Sequence, residues 1–267
     1  MMHDLTLVWL CLTALVAGAV NSIAGGGTLL TFPALMAALT PLRGAAVAAV
    51  MANATSTAAL VPGSMAGAWG YRHKVHEARR WLLLLIGPSL LGGAVGSLLV
   101  TRLPAKYFVM LVPWLILTAA TLLLADSVIP RRAPRAVERD THSGRAIVGL
   151  TLFQFVVAVY GGYFGAGIGI LMLSALALMR IGDINRMNAV KTVLTACING
   201  ISVIVFVVDD KIEWSYALPM ALFAIIGGYL GARAALRIHP RQVRWIVIGI
   251  GFSLAAYFFY QQRAAAG

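Results

Sequence analysis

Long apolar runs constrain this chain more than any other feature of its sequence. Several approach or exceed the ~20 residues that an α-helix needs to cross ~30 Å of hydrocarbon. Hydrophobic residues make up 60% of the 267 residues and charged residues only 11%, whereas roughly a quarter of the residues in a soluble domain are charged. No run alternates as an outer-membrane barrel strand does. The sequence therefore predicts an all-α polytopic membrane protein.

The net charge of +12 has two candidate explanations. Nucleic-acid binding would require basic patches interleaved with aromatic residues, and the sequence contains none. Most Lys and Arg residues instead stand in short clusters between the apolar runs, where they indicate membrane topology. We therefore expect a cytoplasmic (inner) membrane location, a lipid bilayer around the chain and no nucleic-acid partner. Cys11 and Cys197 lie within apolar segments and are interpreted as packing residues rather than a disulfide.

Internal repetition appears in two collinear blocks. The first block recurs after 142 residues, so that Ala24, Gly25, Gly27 and Leu29 return as Ala166, Gly167, Gly169 and Leu171. The second recurs after 135 residues, so that Asn53, Gly92, Gly93, Gly96 and Arg102 return as Asn188, Gly227, Gly228, Gly231 and Arg237. Chance matches among abundant Gly and Ala are the alternative, but the collinear Asn and Arg matches favour duplication. Because the N-terminal run continues into a repeated block and lacks a preceding basic region, we interpret it as part of the mature chain rather than a signal peptide.

The repetition predicts two membrane repeats, residues 1–126 and 145–267, joined by a basic cytoplasmic linker, residues 127–144. Each repeat contains five apolar segments. They cover about 5–24, 28–41, 45–68, 81–101 and 107–126 in the first repeat, then 145–164, 168–180, 188–208, 214–236 and 243–262 in the second. The second segment of each set is short, and Gly25 to Gly27 is where a helix across residues 5–41 would break most readily.

Charge asymmetry predicts how the repeats are oriented. The largest basic clusters lie at 72–80, 131–145, 180–186 and 233–244, and we place all of them in the cytoplasm. The acidic turn at 209–213 then falls outside. The first repeat makes an odd number of crossings on this scheme, so the two repeats are expected to be inverted. Arg102 and Lys106 fall outside, against the general trend.

Glycine clusters precede the short segments and form the most informative motif. The first contains Gly25, Gly26 and Gly27, and the second contains Gly165, Gly167 and Gly169. Unpaired N–H groups at a helix start, with no side chains in the way, favour anion binding. Close helix packing is the alternative use of such glycines. We interpret the two clusters as the binding site, and the GGxxG groups that begin at Gly92 and Gly227 as packing surfaces.

Polar residues stand close to those clusters in otherwise apolar segments, and such residues tend to face a pathway or the bundle interior. They are Asn53, Thr55 and Ser56 in the first repeat, and Asn188, Lys191 and Thr192 in the second. Amides and hydroxyls would donate hydrogen bonds to an oxyanion, and Lys191 would supply positive charge. Snorkelling of Lys191 to the cytoplasmic interface is the open alternative. Asn21, Gln154 and Asn199 are interpreted as interhelical hydrogen-bond partners.

Four stretches together resemble the signature regions of the sulfite exporter TauE/SafE family. They are NSIAGGGTLLTFPAL from Asn21, ANATSTAALVPGSMAGAWGYR from Ala52, YGGYFGAGIGILMLSAL from Tyr160 and DINRMNAVKTVLTACING from Asp183. The similarity covers essentially the whole chain. It implies a bacterial permease for sulfite, organosulfonates or related anions. The chain departs from many members in its second cluster, which reads Gly-Ile-Gly at 167–169, and in Ala175, which stands where the first repeat has Pro33.

These observations predict a secondary transporter that moves a small sulfur-containing oxyanion by alternating access around a glycine-lined site. A carrier for another small organic anion, an anion channel and a non-transporting membrane scaffold are the alternatives. No buried nucleophile–base pair or paired carboxylates stand out, so we expect no enzyme activity. The histidines fall in predicted loops or tails, so we expect no metal, and no cofactor is implied. The partners expected are the anion and the bilayer, with homo-oligomerisation left open.

Overall fold

The structure is a computed structural model that describes residues 2–23, 25–128, 144–178, 184–235 and 241–266. These residues form eleven α-helices and no strand. The helices are α1 (Met2–Ile23), α2 (Thr28–Arg43), α3 (Ala45–Gly70), α4 (Arg72–Glu77), α5 (Arg79–Arg102), α6 (Ala105–Val128), α7 (Gly144–Tyr163), α8 (Ile168–Leu178), α9 (Ile184–Val208), α10 (Trp214–Ala235) and α11 (Arg241–Ala266).

Ten of these helices correspond to the ten predicted apolar segments, and only α4 was not predicted. Six helices in the described part of the chain are long and apolar enough to cross a membrane. The six stretches are Leu5–Ile23, Ala45–Gly70, Arg79–Arg102, Ala105–Ala125, Asn185–Val208 and Trp214–Ala234. The prediction of an all-α polytopic membrane protein is therefore confirmed.

Helices α2 and α8 are the short ones, as predicted. They contain 16 and 11 residues, which correspond to ~24 Å and ~17 Å at ~1.5 Å per residue. Each follows a glycine cluster, at 25–27 and at 165–167. Neither is long enough to cross ~30 Å of hydrocarbon by itself.

The first helix of each half packs against a later helix of the other half. Helix α1 packs against α10, and the equivalent α7 packs against α5. A Cβ atom placed on Gly18 would lie 2.5 Å from the Ala224 carbonyl oxygen, and one on Gly231 would lie 2.5 Å from the Ala19 Cα. Residue numbers increase together in successive contacts along the two helices, so α1 and α10 run in the same direction. The residue numbers in the contacts of Gly92 and Gly96 with α7 increase in the same way, so α5 and α7 are parallel too.

Ion pairs at one end of the bundle give the relative direction of the halves. Arg102 at the end of α5 pairs with Asp209, and Arg43 before α3 pairs with Glu213 before α10. Helix α5 therefore ends where α10 begins, and it runs opposite to α10. Since α1 is parallel to α10 and α7 to α5, α1 and α7 run in opposite directions, as inverted repeats require. The repeat relation and its boundaries stay predictions, and residues 129–143 of the predicted linker lie outside the described residues, as do Ala24 and Arg237.

Helix α3 lies at the centre of the fold. It packs against α2, α9 and α10, and an unbroken run from Ala48 to Thr57 is buried. The main hydrophobic core draws on both halves, with Phe32 and Leu60 from the first and Phe206 and Met220 from the second. The polar residues of α3 therefore lie inside protein rather than in lipid.

The GGxxG glycines serve close packing, as predicted. A Cβ atom on Gly92 would lie 2.5 Å from the Phe155 carbonyl oxygen, whereas one on Gly87, on the same helix, would meet nothing within 4 Å.

We expect Gly92→Ala to lower the free energy of unfolding by ~1–3 kcal/mol through overpacking. Gly87→Ala should be neutral or stabilising by up to ~1 kcal/mol, because alanine favours a helix. The midpoints of heat denaturation in detergent measure both, and equal effects of the two changes would contradict the packing assignment.

Candidate functional site

The two glycine loops meet inside the bundle. Gly25 and Gly167 adopt positive φ angles of 79° and 75°, and Gly165 has a φ angle of 79°. A Cβ atom on Gly25 would lie 2.7 Å from the Gly169 Cα, and one on Gly169 would lie 2.8 Å from the Gly25 Cα. The two chain reversals therefore touch directly, and the starts of α2 and α8 are brought to one place.

Packing accounts for the glycines at both helix starts. A Cβ atom on Gly27 would lie 2.5 Å from the Ala17 carbonyl oxygen, and one on Gly169 would lie 2.9 Å from the Lys191 Cδ. The sequence favours a ligand site over packing at Gly27 and Gly169, but these contacts require glycine at both positions even without a ligand. No side chain caps the start of α2. The Leu29 and Leu30 N–H groups donate to the Gly26 and Gly27 carbonyl oxygens at 3.1 Å and 3.0 Å, so the first glycine loop itself satisfies part of this helix start.

Lys191 reaches the junction of the two loops. Only 1% of its surface is exposed, and its Nζ donates hydrogen bonds to the Ser22 and Asn21 carbonyl oxygens at 3.1 Å and 3.5 Å. Its stem lies against Gly169. The ammonium therefore lies at the C-terminal end of α1, where carbonyl dipoles favour a cation, and it does not snorkel to the membrane surface. Whether it also contacts an anion stays a prediction.

Asn53 and Asn188 are buried, with 1% and 5% of their surfaces exposed. The Asn53 Nδ2 donates to the Tyr163 carbonyl oxygen at 3.1 Å, at the entrance to the second glycine loop. The Oδ1 atoms of both residues are buried without a hydrogen-bond partner among the described residues. One of the two amide hydrogens of Asn53 is thus directed to the chain, and whether the other donates to an oxyanion stays a prediction.

The hydroxyl residues predicted for the site make hydrogen bonds in different parts of the fold. Ser56 and Thr31 share a hydrogen bond of 2.5 Å between their hydroxyl oxygens, and the Thr31 hydroxyl also donates to the Gly27 carbonyl oxygen at 3.4 Å. Ser56 is thus held beside the first glycine loop. The Thr55 hydroxyl instead accepts from the Glu213 N–H at 3.0 Å, in the turn between α9 and α10. The Thr192 hydroxyl donates to the Asn188 carbonyl oxygen within α9.

Two expected interhelical hydrogen bonds are present. The Asn21 Nδ2 donates to the Ser64 hydroxyl at 3.0 Å, and the Gln154 Nε2 donates to the Ser89 hydroxyl at 2.8 Å. Sequence reasoning did not find Thr31 or the carbonyl groups of Ser22 and Asn21. Only the position of Thr31, one helical turn after Gly27, could have indicated it.

A cavity of about 710 Å³ lies between α2, α3, α6 and α11, with Thr40, Gln261 and Gln262 among its lining residues. Phe258 lines it and contacts Phe32 at 6.2 Å between ring centroids. Phe32 in turn contacts Phe164 at 5.3 Å and Phe108 at 6.4 Å. Because Phe164 precedes Gly165, these four phenylalanines, which we call the aromatic cluster, connect the wall of the cavity to the second glycine loop. No pattern in the sequence indicated this cluster.

Buried irregular backbone beside short helices, within a bundle of apolar helices, is typical of multi-pass transporters. Residues 10–258 match the family described as "Sulfite exporter TauE/SafE". The chain belongs to this family of membrane transporters.

Curated relatives agree with this assignment in name and length. A probable membrane transporter protein of Haemophilus influenzae is 26% identical over 97% of this chain and 96% of its own length. The probable membrane transporter protein YfcA of Escherichia coli K12 is 26% identical over 98% and 93%, respectively. YunE of Bacillus subtilis, described in the same words, is 26% identical over 94% and 97%. No solved structure matches the chain significantly.

The contact between the glycine loops can be tested by comparing Gly25 with Gly44, which also has a positive φ angle but lies outside the loops. Gly44 has a φ angle of 74° but a Cβ atom there would meet nothing within 4 Å, whereas one on Gly25 would meet Gly169. Alanine is strained at both positive φ angles, by ~1–3 kcal/mol each. We expect Gly25→Ala to lower the free energy of unfolding by at least ~1 kcal/mol more than Gly44→Ala, because of overpacking. Denaturation of the two variants in detergent gives the comparison, and equal losses would mean that the loops are not in contact.

Proposed function

We propose that this chain is a secondary transporter of the cytoplasmic membrane that moves a small sulfur-containing oxyanion, such as sulfite or an organosulfonate. The observation that carries this proposal is Lys191, a buried cation where the starts of the two short helices meet. Membership of the sulfite exporter family supports the sulfur-containing substrate. Inverted short helices that meet within a bundle supply the usual geometry of a carrier site.

Electrostatics support an anionic substrate. The starts of α2 and α8 meet where Gly25 contacts Gly169, and each start contributes a partial positive charge. The Lys191 stem passes the same place. The C-terminal end of α1 brings a partial negative charge to the same place. The full charge of Lys191 exceeds it, so the net potential of this buried site is positive, and charges there interact more strongly than in water.

Hydrogen-bond donors near the junction would orient the anion. The Ser56 and Thr31 hydroxyls lie beside Gly27, and either can rotate to donate. The Asn53 Oδ1 can only accept, so it suits a protonated oxyanion or a bound water rather than a bare sulfonate oxygen. Of the residues predicted for the site, Thr55 lies at the turn between α9 and α10 and is not part of this arrangement.

Replacement of Lys191 tests the anion site. We expect Lys191→Gln to weaken sulfite or methanesulfonate binding at least about tenfold, because a hydrogen bond to a charged group contributes ~1.5–3 kcal/mol. Glutamine retains an N–H donor for the Ser22 carbonyl oxygen, so the fold should persist. Ligand-dependent shifts of the denaturation midpoint measure the affinity.

Lys106→Gln is the matched control, since Lys106 stands outside the junction and over the Tyr107 ring. It should leave the affinity unchanged. Unaltered anion binding in Lys191→Gln, with the variant still folded, would remove Lys191 from the substrate site.

Substrate class is tested by counterflow in proteoliposomes. Sulfite and small alkylsulfonates should compete for uptake of a labelled sulfonate, while acetate should compete poorly. The uptake should saturate and should be accelerated by substrate on the opposite side. Preference for acetate would indicate a carboxylate carrier, and fast flux without counterflow would indicate a channel.

A further inference from the structure

Two ion pairs close the end of the bundle that is predicted to face outward. Arg43 pairs with Glu213 at 3.5 Å, and Arg102 pairs with Asp209 at 3.2 Å. Both carboxylates belong to the connection between α9 and α10, and both arginines come from the first half of the chain. The backbone N–H of Glu213 also donates to the Thr55 hydroxyl. The connection is thus tied to α3 and α5 as well as to its own helices.

A third ion pair closes the opposite end. Arg186, in the first turn of α9, pairs with Glu77 of α4 at 2.7 Å. Glu77 also accepts from Lys74 at 3.0 Å within its own helix. The hydrogen bonds from Arg186 and then from Lys74 lower the pKa of Glu77 below its usual range, so its carboxylate is ionised at neutral pH.

The two closures occupy matching places in the predicted repeats. The connection at 71–78 follows α3, and the connection at 209–213 follows α9, its counterpart in the second repeat. Each connection contains a glutamate that pairs with an arginine of the other repeat. Glu77, after α3, pairs with Arg186 at the start of α9, and Glu213, after α9, pairs with Arg43 before the start of α3. Arg43 lies just before α3, and Arg186 lies just inside α9. The same kind of glutamate–arginine pair is therefore present at each end of the bundle, with the contributions of the two repeats exchanged.

We propose that these ion pairs are two latches of the transport cycle: Glu77–Arg186 holds the inner end shut, and Arg43–Glu213 with Arg102–Asp209 holds the outer end shut. This inference rests on the proposed function, because alternating access requires that one end opens only while the other is closed. All three pairs are at least partly exposed. Exposed ion pairs contribute little stability, so a latch of this kind can open and reform within a transport cycle.

A cysteine in the cavity between α2, α3, α6 and α11 reports on both latches. Ala49 of α3 lines this cavity, and only 1% of its surface is exposed while all three ion pairs are formed, so we would place Ala49→Cys in a chain in which Cys11 and Cys197 are alanine. Purified protein in detergent is labelled with a water-soluble maleimide. Asp209→Asn with Glu213→Gln should raise the labelling rate about two- to fivefold, because the outer end opens more often. Glu77→Gln should lower the rate by a similar factor, because opening of the inner end closes the cavity.

Two control variants separate gating from general loosening of the fold. Lys74→Gln removes a neighbour of Glu77 but leaves the pair with Arg186, so the labelling rate should not change. Glu77→Arg combined with Arg186→Glu restores an ion pair and should return the rate towards that of the parent. Rates that move in the same direction for both latches, or that do not move, would overturn the inference.

The labelling assay does not depend on the substrate. Opposite shifts in labelling without sulfonate counterflow would mean that the latches are correct and the proposed substrate is wrong. Saturable sulfonate counterflow without labelling shifts would keep the proposed function and reject the latches.

Discussion

Irregular backbone cannot face lipid, because hydrocarbon offers its N–H and C=O groups no hydrogen-bond partner. This chain reverses direction twice inside the bundle, at residues 25–27 and 164–167, and the rest of the fold shields those reversals. Leu123 of α6 and Val247 of α11 cover Gly26, and Ala119 of α6 contacts Gly167. The Gly25 and Gly165 amides donate back to carbonyl oxygens at the ends of α1 and α7. The packed pair of helices α6 and α11 therefore covers the two buried loops and also forms part of the core.

Sequence reasoning located the helices because hydropathy and length decide them directly in a bilayer. It missed α4, whose six residues, Arg72–Glu77, are mostly polar and carry no apolar period. It also placed Arg102 outside against the charge trend. The ion pair with Asp209 explains that position, but no single-chain pattern could reveal a partner 107 residues away. Contacts of this kind depend on how helices pack, and hydropathy does not encode that.

The candidate site was predicted less completely than the fold. Composition identified Lys191, Asn53 and Ser56 as polar residues in apolar helices, and all three are buried. The partner of each hydrogen bond could not be predicted, so the sequence did not indicate that one amide hydrogen of Asn53 donates to the Tyr163 carbonyl oxygen. The glycines were given a ligand role because their density exceeded ordinary packing. Density alone does not distinguish the two roles, because the backbone of one loop packs directly on that of the other, which requires glycine on both sides. The ligand role stays a prediction.

Close packing of the loops and a role in anion binding are compatible. Side chains at Gly25 or Gly169 would separate the loops, admit water and weaken the field of a buried ammonium. The direct contact instead helps to keep Lys191 buried, and burial of a charge is costly. Carbonyl dipoles at the end of α1 offset part of that cost. Under the proposed function a bound oxyanion would offset more of it, so the glycine contacts that explain the packing are also consistent with an anion site at this junction.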